Sequence, residues 1–519
     1  MSLSSNLVSL LCCLFISFSL FSQELFIGSA GEVSVVPGHY LYLDNDVTID
    51  ASGNLIAQSN ASSSASLLVS GSVTGKITYK RYIPDTNWHL VAPPVSGQAI
   101  PTFVGDSANG VTSHPSNGSF AVAYYQNTNN AGERWTYHHA SPSAANQETL
   151  TDFVNGQGYS TNRTSAGEFT FKGGMLTTDV TVALTTVSGS HYWSSVGNPY
   201  PAYLPANSNA EETNVLGQNI NVFDPSYAGL YFWDGTAYQV INQISDALHI
   251  APGQAFMVRA KDDSETFTFT KSLTSHQTGT DSFYRNANTT PNIVVSLFNG
   301  TQTKTTEIKY LANTTTGLDV GYDAGAYQDG QPEFSLNTHL ITDSTGLDFM
   351  LQCLPNNNYE DLVVPLSVGA NANIELSFNV ASSNLPQGLN IYLEDKKKNT
   401  LEDITSSPYQ VTTTQQLNGI GRFYLHTSFS VLSTEDLASS LSSINMYTTE
   451  KYTLRITGLE NQDTSTIVVY DILGKQVFTQ AFTATNVNDI ALPISLKTGI
   501  YLVNLSSMKG VVSKKIMIK

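Results

Sequence analysis

The chain contains little cysteine, little charge and no long hydrophobic run after its first residues. Three of its 519 residues are cysteines, and two of these lie in the apolar stretch at the N-terminus. Cys353 is the only cysteine beyond that stretch, so an internal disulfide is excluded there and stability must come from hydrophobic cores, which a chain of this length is able to bury. No signature of a cysteine enzyme surrounds Cys353, and we interpret it as a small buried hydrophobe.

The sequence also lacks the short motifs that carry catalysis. There is no His-Glu-x-x-His metal motif, no Gly-x-Ser-x-Gly nucleophile turn and no phosphate-binding loop. We therefore expect a protein that is not an enzyme and that needs no cofactor. A carboxylate pair for glycoside hydrolysis is set by space rather than by sequence, so a glycan-active enzyme or a carbohydrate-binding module is the alternative.

Charge is scarce and unevenly distributed. Charged residues make up 13% of the chain, and the net charge is −18. Residues 441–519 hold eight Lys/Arg against five Asp/Glu, which leaves 16 basic and 37 acidic residues, a net −21, upstream. An acidic body repels phosphate groups, so we expect no nucleic acid among the partners.

The N-terminus has the pattern of an export signal. Residues 7–21 form an apolar run that is short for a bilayer span and has the length of a signal-peptide core. We predict a signal peptide over residues 1–22; a retained anchor is the alternative, because no Lys or Arg precedes the run. No later run is long enough for a membrane helix, so the mature chain is expected to have no integral membrane segment.

Alternation of apolar and polar residues recurs along the chain, whereas helical periodicity does not. The pattern predicts an all-β protein with several β-sandwich-like domains in tandem. We predict an N-terminal β-layer or short solenoid over residues 23–80, a β-sandwich of jelly-roll or immunoglobulin-like type over 291–430, and a polar linker over 431–442.

An internal repeat occupies the region between these predicted domains. Trp88 and the six residues after it match Trp193 and the six residues after it, and three further landmarks follow in the same order in both places: Tyr124-Tyr125 and Tyr231-Phe232, Gly156-Gln157-Gly158-Tyr159 and Gly253-Gln254-Ala255-Phe256, and Phe169-Thr170-Phe171 and Phe267-Thr268-Phe269. We predict a duplicated β-unit over 81–275, with copies at about 81–175 and 186–275.

The aromatic landmarks have two interpretations. Large aromatic residues at matched positions of a repeat usually form the core. The alternative places four of them on an exposed shelf where their faces stack on sugar rings: Trp88, Trp193, Tyr200 and Trp233.

A group of carboxylates lies among glycines in the predicted sandwich. Asp319, Asp323 and Asp329 lie close together in sequence, and calcium prefers several oxygen ligands from such a loop. The spacing matches no defined calcium motif, so calcium binding and a solvated loop both stay open.

The last residues have the clearest pattern. Short alternating strands over 468–475 and 496–503 are divided by Gly-Lys and Thr-Gly turns, and a basic apolar strand ends the sequence. Residues 443–519 resemble the C-terminal sorting domain of the type IX secretion system, with the sorting motif at Gly474, Lys475, Gly499, Tyr501, Lys514 and Lys515. One departure is that Asn445-Met446-Tyr447-Thr448-Thr449 stands where family members commonly carry Tyr-Pro-Asn-Pro.

The resemblance implies a destination and a set of partners. Such a domain has an immunoglobulin-like fold, is recognised by the outer-membrane translocon and the surface-attachment machinery, and is removed near the linker. We therefore expect an extracellular or outer-membrane surface protein that acts as a non-enzymatic adhesion or matrix component, with a glycan or protein as its surface ligand.

Overall fold

The computed structural model describes residues 24–139, 152–184, 192–277, 290–327, 333–342, 346–360, 362–429, 444–450, 452–459, 464–507 and 510–518. The predicted signal peptide and the predicted linker lie outside these residues. Strands account for 52% of the structure and helices for 5%, which confirms the predicted all-β class. The α-helices are α1 (Ile100–Gly105) and α2 (Val215–Asn219). Within the described residues, no helix has the length and apolar character needed to cross a membrane.

The first strands wind as a parallel solenoid. They are β1 (Leu25–Ile27), β2 (Glu32–Val35), β3 (Tyr40–Leu43), β4 (Val47–Ile49), β5 (Asn54–Gln58), β6 (Ser66–Val69), β7 (Val73–Thr74) and β8 (Ile77–Ile83). They form three faces, with parallel order β1-β4-β7, β2-β5-β8 and β3-β6. Each of the first two turns therefore contributes one strand to each face, and the third turn contributes β7 and β8 to the first two faces.

Glycines fix the corner that precedes the second face. Gly31, Gly53 and Gly75 are spaced evenly, which matches the register in which Glu32 lies beside Asn54. A Cβ atom on Gly75 would lie 2.2 Å from the Ile49 carbonyl oxygen, and one on Gly53 would lie 2.7 Å from the Ile27 carbonyl oxygen. Only glycine therefore allows successive turns to approach this closely.

Two β-units of equal topology follow. The strands of the first are β9 (His89–Val91), β10 (Ser119–Tyr125), β11 (Trp135–His139), β12 (Tyr159–Thr161) and β13 (Gly167–Gly173). The strands of the second are β14 (Val180–Leu184), β15 (Trp193–Gly197), β16 (Leu204–Pro205), β17 (Leu230–Trp233), β18 (Tyr238–Ile241), β19 (His249–Ile250), β20 (Ala255–Arg259) and β21 (Glu265–Phe269).

The sheets of the two units correspond strand by strand. The first unit has the order β11-β10-β12-β9, and the second has the order β18-β17-β20-β15. Outside these sheets, β8 pairs with β13 and β14 pairs with β21, both antiparallel. Strand β14 is therefore the counterpart of β8, the last solenoid strand. It lies before residue 186, where the second copy was predicted to begin.

A single large sheet forms the third region. Its strands are β22 (Asn292–Phe298), β23 (Thr303–Leu311), β24 (Ala324–Gly325), β25 (Ser335–Thr338), β26 (Phe349–Pro355), β27 (Val363–Ala370), β28 (Glu375–Ser383), β29 (Asn390–Asp395), β30 (Thr400–Asp403), β31 (Tyr409–Thr412) and β32 (Leu417–Ser428). The order is β30-β29-β32-β27-β25-β26-β23-β22-β28-β31, with β24 beside β26. Its core includes Ile293, Leu366, Phe378 and Phe423.

The C-terminal region consists of two sheets around one core. The strands are β33 (Asn445–Glu450), β34 (Thr453–Thr457), β35 (Thr464–Asp471), β36 (Gln476–Thr483), β37 (Val487–Ala491), β38 (Gly499–Ser507) and β39 (Gly510–Ile518). One sheet has the order β33-β34-β37 and the other β36-β35-β38-β39. Apolar side chains of both sheets meet between them, among them Met446, Leu454, Ile467 and Val503.

Candidate functional site

Two exposed and two partly buried aromatic side chains meet where the two β-units adjoin. Trp88, just before β9, is 39% exposed and its ring centroid lies 5.8 Å from that of Tyr137, which is 37% exposed. Trp233, at the end of β17, donates its indole N–H to the Trp88 carbonyl oxygen at 3.0 Å. Tyr238 lies opposite Trp233 across the β17–β18 hairpin, with ring centroids 5.1 Å apart. We call Trp88, Tyr137, Trp233 and Tyr238 the aromatic ledge.

Polar residues flank the ledge. The Asp85 carboxylate accepts the Asn87 N–H at 2.7 Å and lies 2.8 Å from Nε2 of His89. Burial raises the pKa of Asp85, but the hydrogen bonds from Asn87 and His89 outweigh it and hold the pKa below its usual range. This carboxylate is therefore ionised at neutral pH.

A second carboxylate lies beside the ledge, in the turn after Trp233. Asp234 follows Trp233 and accepts the N–H groups of Thr236 and Ala237 and the side-chain amide of Gln239, each at 2.8 Å. Burial raises the pKa of Asp234, whereas these donors lower it, and the net pKa lies below the usual range. Two anionic groups thus lie beside the ledge, in adjoining turns, since a Cβ atom on Gly235 would lie 3.8 Å from Nδ2 of Asn87.

The interpretation of four aromatic residues as an exposed shelf is wrong for two of them. Trp193 is 1% exposed and packs against Tyr231 and Tyr327, with ring centroids 4.7 Å and 4.8 Å away. Tyr200 is fully buried, and its hydroxyl donates to the Phe269 carbonyl oxygen at 2.8 Å. These two residues form core, while Trp88 and Trp233 form part of the ledge.

Tyr137 was not identified from the sequence as a partner of Trp88, nor was Tyr238 identified as a partner of Trp233. The sequence carried a signal for Tyr137, because it lies two residues after Trp135 and side chains two apart project from one face of a strand. Nothing in the local pattern around Tyr238 indicates that it contacts Trp233, since that contact depends on the hairpin register.

The carboxylates considered for calcium already accept backbone hydrogen bonds. Asp319 accepts the Thr315 N–H at 2.7 Å. Asp323, which is fully buried, accepts the N–H of Asp319 at 2.6 Å and that of Cys353 at 2.7 Å. Asp329 lies outside the described residues. Across the residues that the structure describes, no group of three or more His, Cys, Asp and Glu side chains is arranged to hold a metal ion.

The sorting-motif residues occupy two neighbouring hairpins. Gly474 has a φ of +82° in the turn after β35, a conformation that favours glycine. The Asp471 carboxylate closes this turn by accepting the N–H of Leu473 at 2.9 Å and that of Lys475 at 3.0 Å. This geometry explains why glycine occupies position 474.

The remaining motif residues lie on β38 and β39. Gly499 begins β38, and the buried Tyr501 donates its hydroxyl to the Lys497 carbonyl oxygen at 2.8 Å. On β39, Lys514 bonds to Asn445 of the other sheet, whereas Lys515 is exposed. Register therefore sends the two adjacent lysines to opposite faces.

A surface cavity of about 490 Å³ lies against this sheet. Its lining includes three of the motif residues, Gly474, Tyr501 and Lys515. Apolar side chains are exposed on the same strands and at the adjacent turn: Ile472, Leu473, Ile500, Leu502 and Met517. The structure thus brings part of the predicted motif together beside an exposed apolar strip.

Two protein-family models together match most of this chain. Residues 14–426 match the profile of a family described as a domain of unknown function, DUF8693. The chain belongs to the DUF8693 family. Residues 448–519 match the secretion system C-terminal sorting domain, which confirms the resemblance to the type IX sorting domain. No curated protein matches the chain significantly.

Each feature described above lies within one of the two matched regions. The DUF8693 match contains the solenoid, both β-units, the aromatic ledge and the Asp323 loop. The sorting-domain match contains the cavity and all six motif residues. The chain is thus a DUF8693 protein that carries a sorting domain for export to the cell surface or the medium.

Proposed function

We propose that this DUF8693 protein is a non-enzymatic adhesion or matrix component held at the outer surface of the cell. The observation that carries the proposal is the C-terminal sorting domain, because a protein with this export signal meets its ligand outside the cell. The predicted signal peptide over residues 1–22 supplies the first export step in this proposal.

The body of the chain supports a binding role. The β-units present exposed aromatic rings, including Trp88 and Tyr137, near two carboxylates. Large exposed aromatic groups on a soluble protein commonly mark contact surfaces. We further propose that the Asp319–Asp323 loop needs no calcium, since backbone N–H groups already occupy these carboxylates.

The sorting domain is proposed to contact the translocon and the attachment machinery through the strip next to the cavity. Exposed Ile500 and Leu502 supply apolar area, and Lys515 supplies positive charge beside them. This surface lies on the side of the sheet that faces away from the domain core.

Deletion of residues 443–519 tests the export step. We expect the truncated protein to accumulate in the periplasm, while the full chain reaches the surface or the medium. Deletion of residues 1–22 is the control and should keep the protein in the cytoplasm. Surface display of the chain without 443–519 would refute the proposal.

Attachment of cells tests the adhesion step. A strain without this protein should adhere less to polysaccharide-coated surfaces than the same strain with the full chain restored, at equal growth rate. Equal adhesion of both strains would reject the adhesion role. Release of new reducing ends from polysaccharide by the purified protein would support the glycan-active enzyme instead.

A further inference from the structure

We propose that the aromatic ledge, made of Trp88, Tyr137, Trp233 and Tyr238, binds a neutral polysaccharide chain. The inference rests on the proposed surface role only in assuming that the ligand is met outside the cell.

Two rings of the ledge remain exposed in a unit that buries other aromatic residues in its core. Trp88 and Tyr137 each keep more than a third of their surface in water, although the core of the same unit buries Phe103, Tyr159 and Phe171 almost completely. Ring faces and sugar C–H faces are both apolar and flat, so stacking removes apolar area of both from water. Binding sites of this kind combine aromatic side chains with a few polar groups.

The rings are held in place before any ligand binds. The indole N–H of Trp233 is fixed by its 3.0 Å bond to the Trp88 carbonyl oxygen, which joins the two β-units at the ledge. Tyr238 is held from behind by Tyr327, with ring centroids 4.2 Å apart. Little side-chain entropy is therefore lost on binding, which favours affinity.

Polar groups beside the rings fit sugar hydroxyls. Thr86 and Asn87 are exposed in the turn before Trp88. Asn87 donates to the Asp85 carboxylate through its backbone N–H and its side-chain amide, at 2.7 Å and 3.1 Å, so this turn has a fixed shape. Hydroxyl groups are both donors and acceptors and are able to bond to amide and carboxylate oxygens here.

Charge selects against acidic glycans. Asp85 and Asp234 are ionised at neutral pH in adjoining turns beside the ledge, and the chain upstream of residue 441 has a net charge of −21. An alginate-like or sulfated polysaccharide would bring like charges together at the ledge. A neutral chain avoids that repulsion.

Affinity electrophoresis of the full chain tests the proposal. The native gels would contain neutral polysaccharides in turn, namely β-1,3-glucan, β-1,4-mannan and xylan, with alginate as the anionic counterpart. We expect retardation in at least one neutral gel and none in alginate. Trp88→Ala and Tyr137→Ala should each weaken binding about tenfold or more, as loss of a central aromatic anchor commonly does.

Phe298→Ala is the matched control, because Phe298 is an aromatic residue of similar exposure, 42%, on β22 of another sheet. It should bind like the unchanged chain, and the thermal midpoints of all variants show whether each is folded. Retardation of Trp88→Ala and Tyr137→Ala equal to that of the control would overturn the proposal, and so would binding to alginate only or to none of the polysaccharides.

The result is separable from the adhesion role. Suppose that the unchanged chain binds no neutral polysaccharide and that a displayed Trp88→Ala protein still supports adhesion. The ledge would then be rejected as a polysaccharide site, and the surface role would stand. Loss of both adhesion and polysaccharide binding in displayed Trp88→Ala is the outcome we expect.

Discussion

The backbone N–H of Ala92 donates to the carbonyl oxygen of Gly253 at 3.0 Å, and the matching contact runs in the opposite direction. Gly197, the repeat counterpart of Ala92, donates to the carbonyl oxygen of Gly156, the counterpart of Gly253, at 2.9 Å. The two glycines also share a left-handed backbone, with φ of +77° and +72°. The units thus contact each other reciprocally, as the subunits of a two-fold dimer do, and we interpret them as a fused pseudo-symmetric pair.

Gly197→Ala should destabilise this contact. The new Cβ atom would lie 2.6 Å from the Cβ of Ala92 and 2.7 Å from that of Ala255, so the backbones must separate. Overpacking of this kind costs about 1–3 kcal/mol. Calorimetry should show a lower unfolding temperature. Gly105→Ala is the control, since its Cβ would meet nothing within 4 Å; equal shifts for the two variants would contradict the reciprocal packing.

Asn198→Ala should destabilise the second unit. The buried Asn198 amide donates to the carbonyl oxygens of Ala202, Ile250 and Ala251 at 2.8, 3.1 and 3.2 Å, and its oxygen accepts the Tyr200 N–H at 3.0 Å. Leaving such buried groups without partners costs about 1–3 kcal/mol.

Thermal unfolding, followed by near-ultraviolet circular dichroism, measures the effect. Asn130→Ala is the control, because Asn130 is exposed and its side-chain amide donates a long hydrogen bond of 3.4 Å to the Glu133 carboxylate. A midpoint for Asn198→Ala as high as that of Asn130→Ala would show that this amide does not hold the Val-Gly-Asn-Pro-Tyr-Pro corner.

The sequence predicts those parts of the site that depend on contacts between residues close together in the chain. Trp88 and Trp193 are equivalent in the repeat pattern, yet one is exposed and the other buried. Trp193 is covered by Tyr227 and Tyr231 of its own unit and also by Tyr327, which comes from the third region. No local pattern carries that information, so the shelf could be predicted only in part.

Other features were within reach of the sequence. The even spacing of Gly31, Gly53 and Gly75 fixes the solenoid register and was available without a structure. By contrast, neither interpretation of the Asp323 loop, a calcium site or a solvated loop, anticipated that the Asp323 carboxylate accepts the Cys353 N–H from β26. Strand type follows from local alternation, whereas the partner of a buried carboxylate follows from sheet topology.

Asp395→Asn should strongly destabilise the third region. Arg422 and Asp395 form a buried two-pronged pair with N–O distances of 2.9 and 2.8 Å, and the Tyr409 hydroxyl donates to the same carboxylate at 2.8 Å. Removing one charge leaves the other buried and unpaired, which costs about 3–5 kcal/mol.

The sorting domain offers a matched control for this pair. Arg455 and Asp489 have the same two-pronged geometry at 2.7 Å for both bonds, but their side chains are 29% and 46% exposed. Asp489→Asn should therefore cost no more than about 1 kcal/mol. Urea unfolding of both variants gives the comparison, and similar losses would show that burial does not set the strength of these pairs.

The Asp323 carboxyl should make the region around Cys353 less stable as pH rises. Burial raises the pKa of Asp323 to about 7, although two backbone N–H groups bond to it. An unfolded aspartate titrates near about 3.9. Between these values the folded state holds a proton that the unfolded state has lost, so the stabilisation from this group declines with rising pH and then levels off above the folded pKa.

Cys353 reports this change, because its thiol is fully buried and its N–H donates to Asp323. Chains without residues 1–22 carry Cys353 as their single thiol. The rate of labelling of this thiol is divided by the rate measured in urea at the same pH. This ratio measures local opening, because the division removes the effect of the thiol's own ionisation. Protection should fall between pH 5 and pH 7.5 in the unchanged chain and in Asp106→Asn, an exposed control. Asp323→Asn should flatten this slope because it has no titrating proton, and an unaltered slope in that variant would show that another group governs the opening.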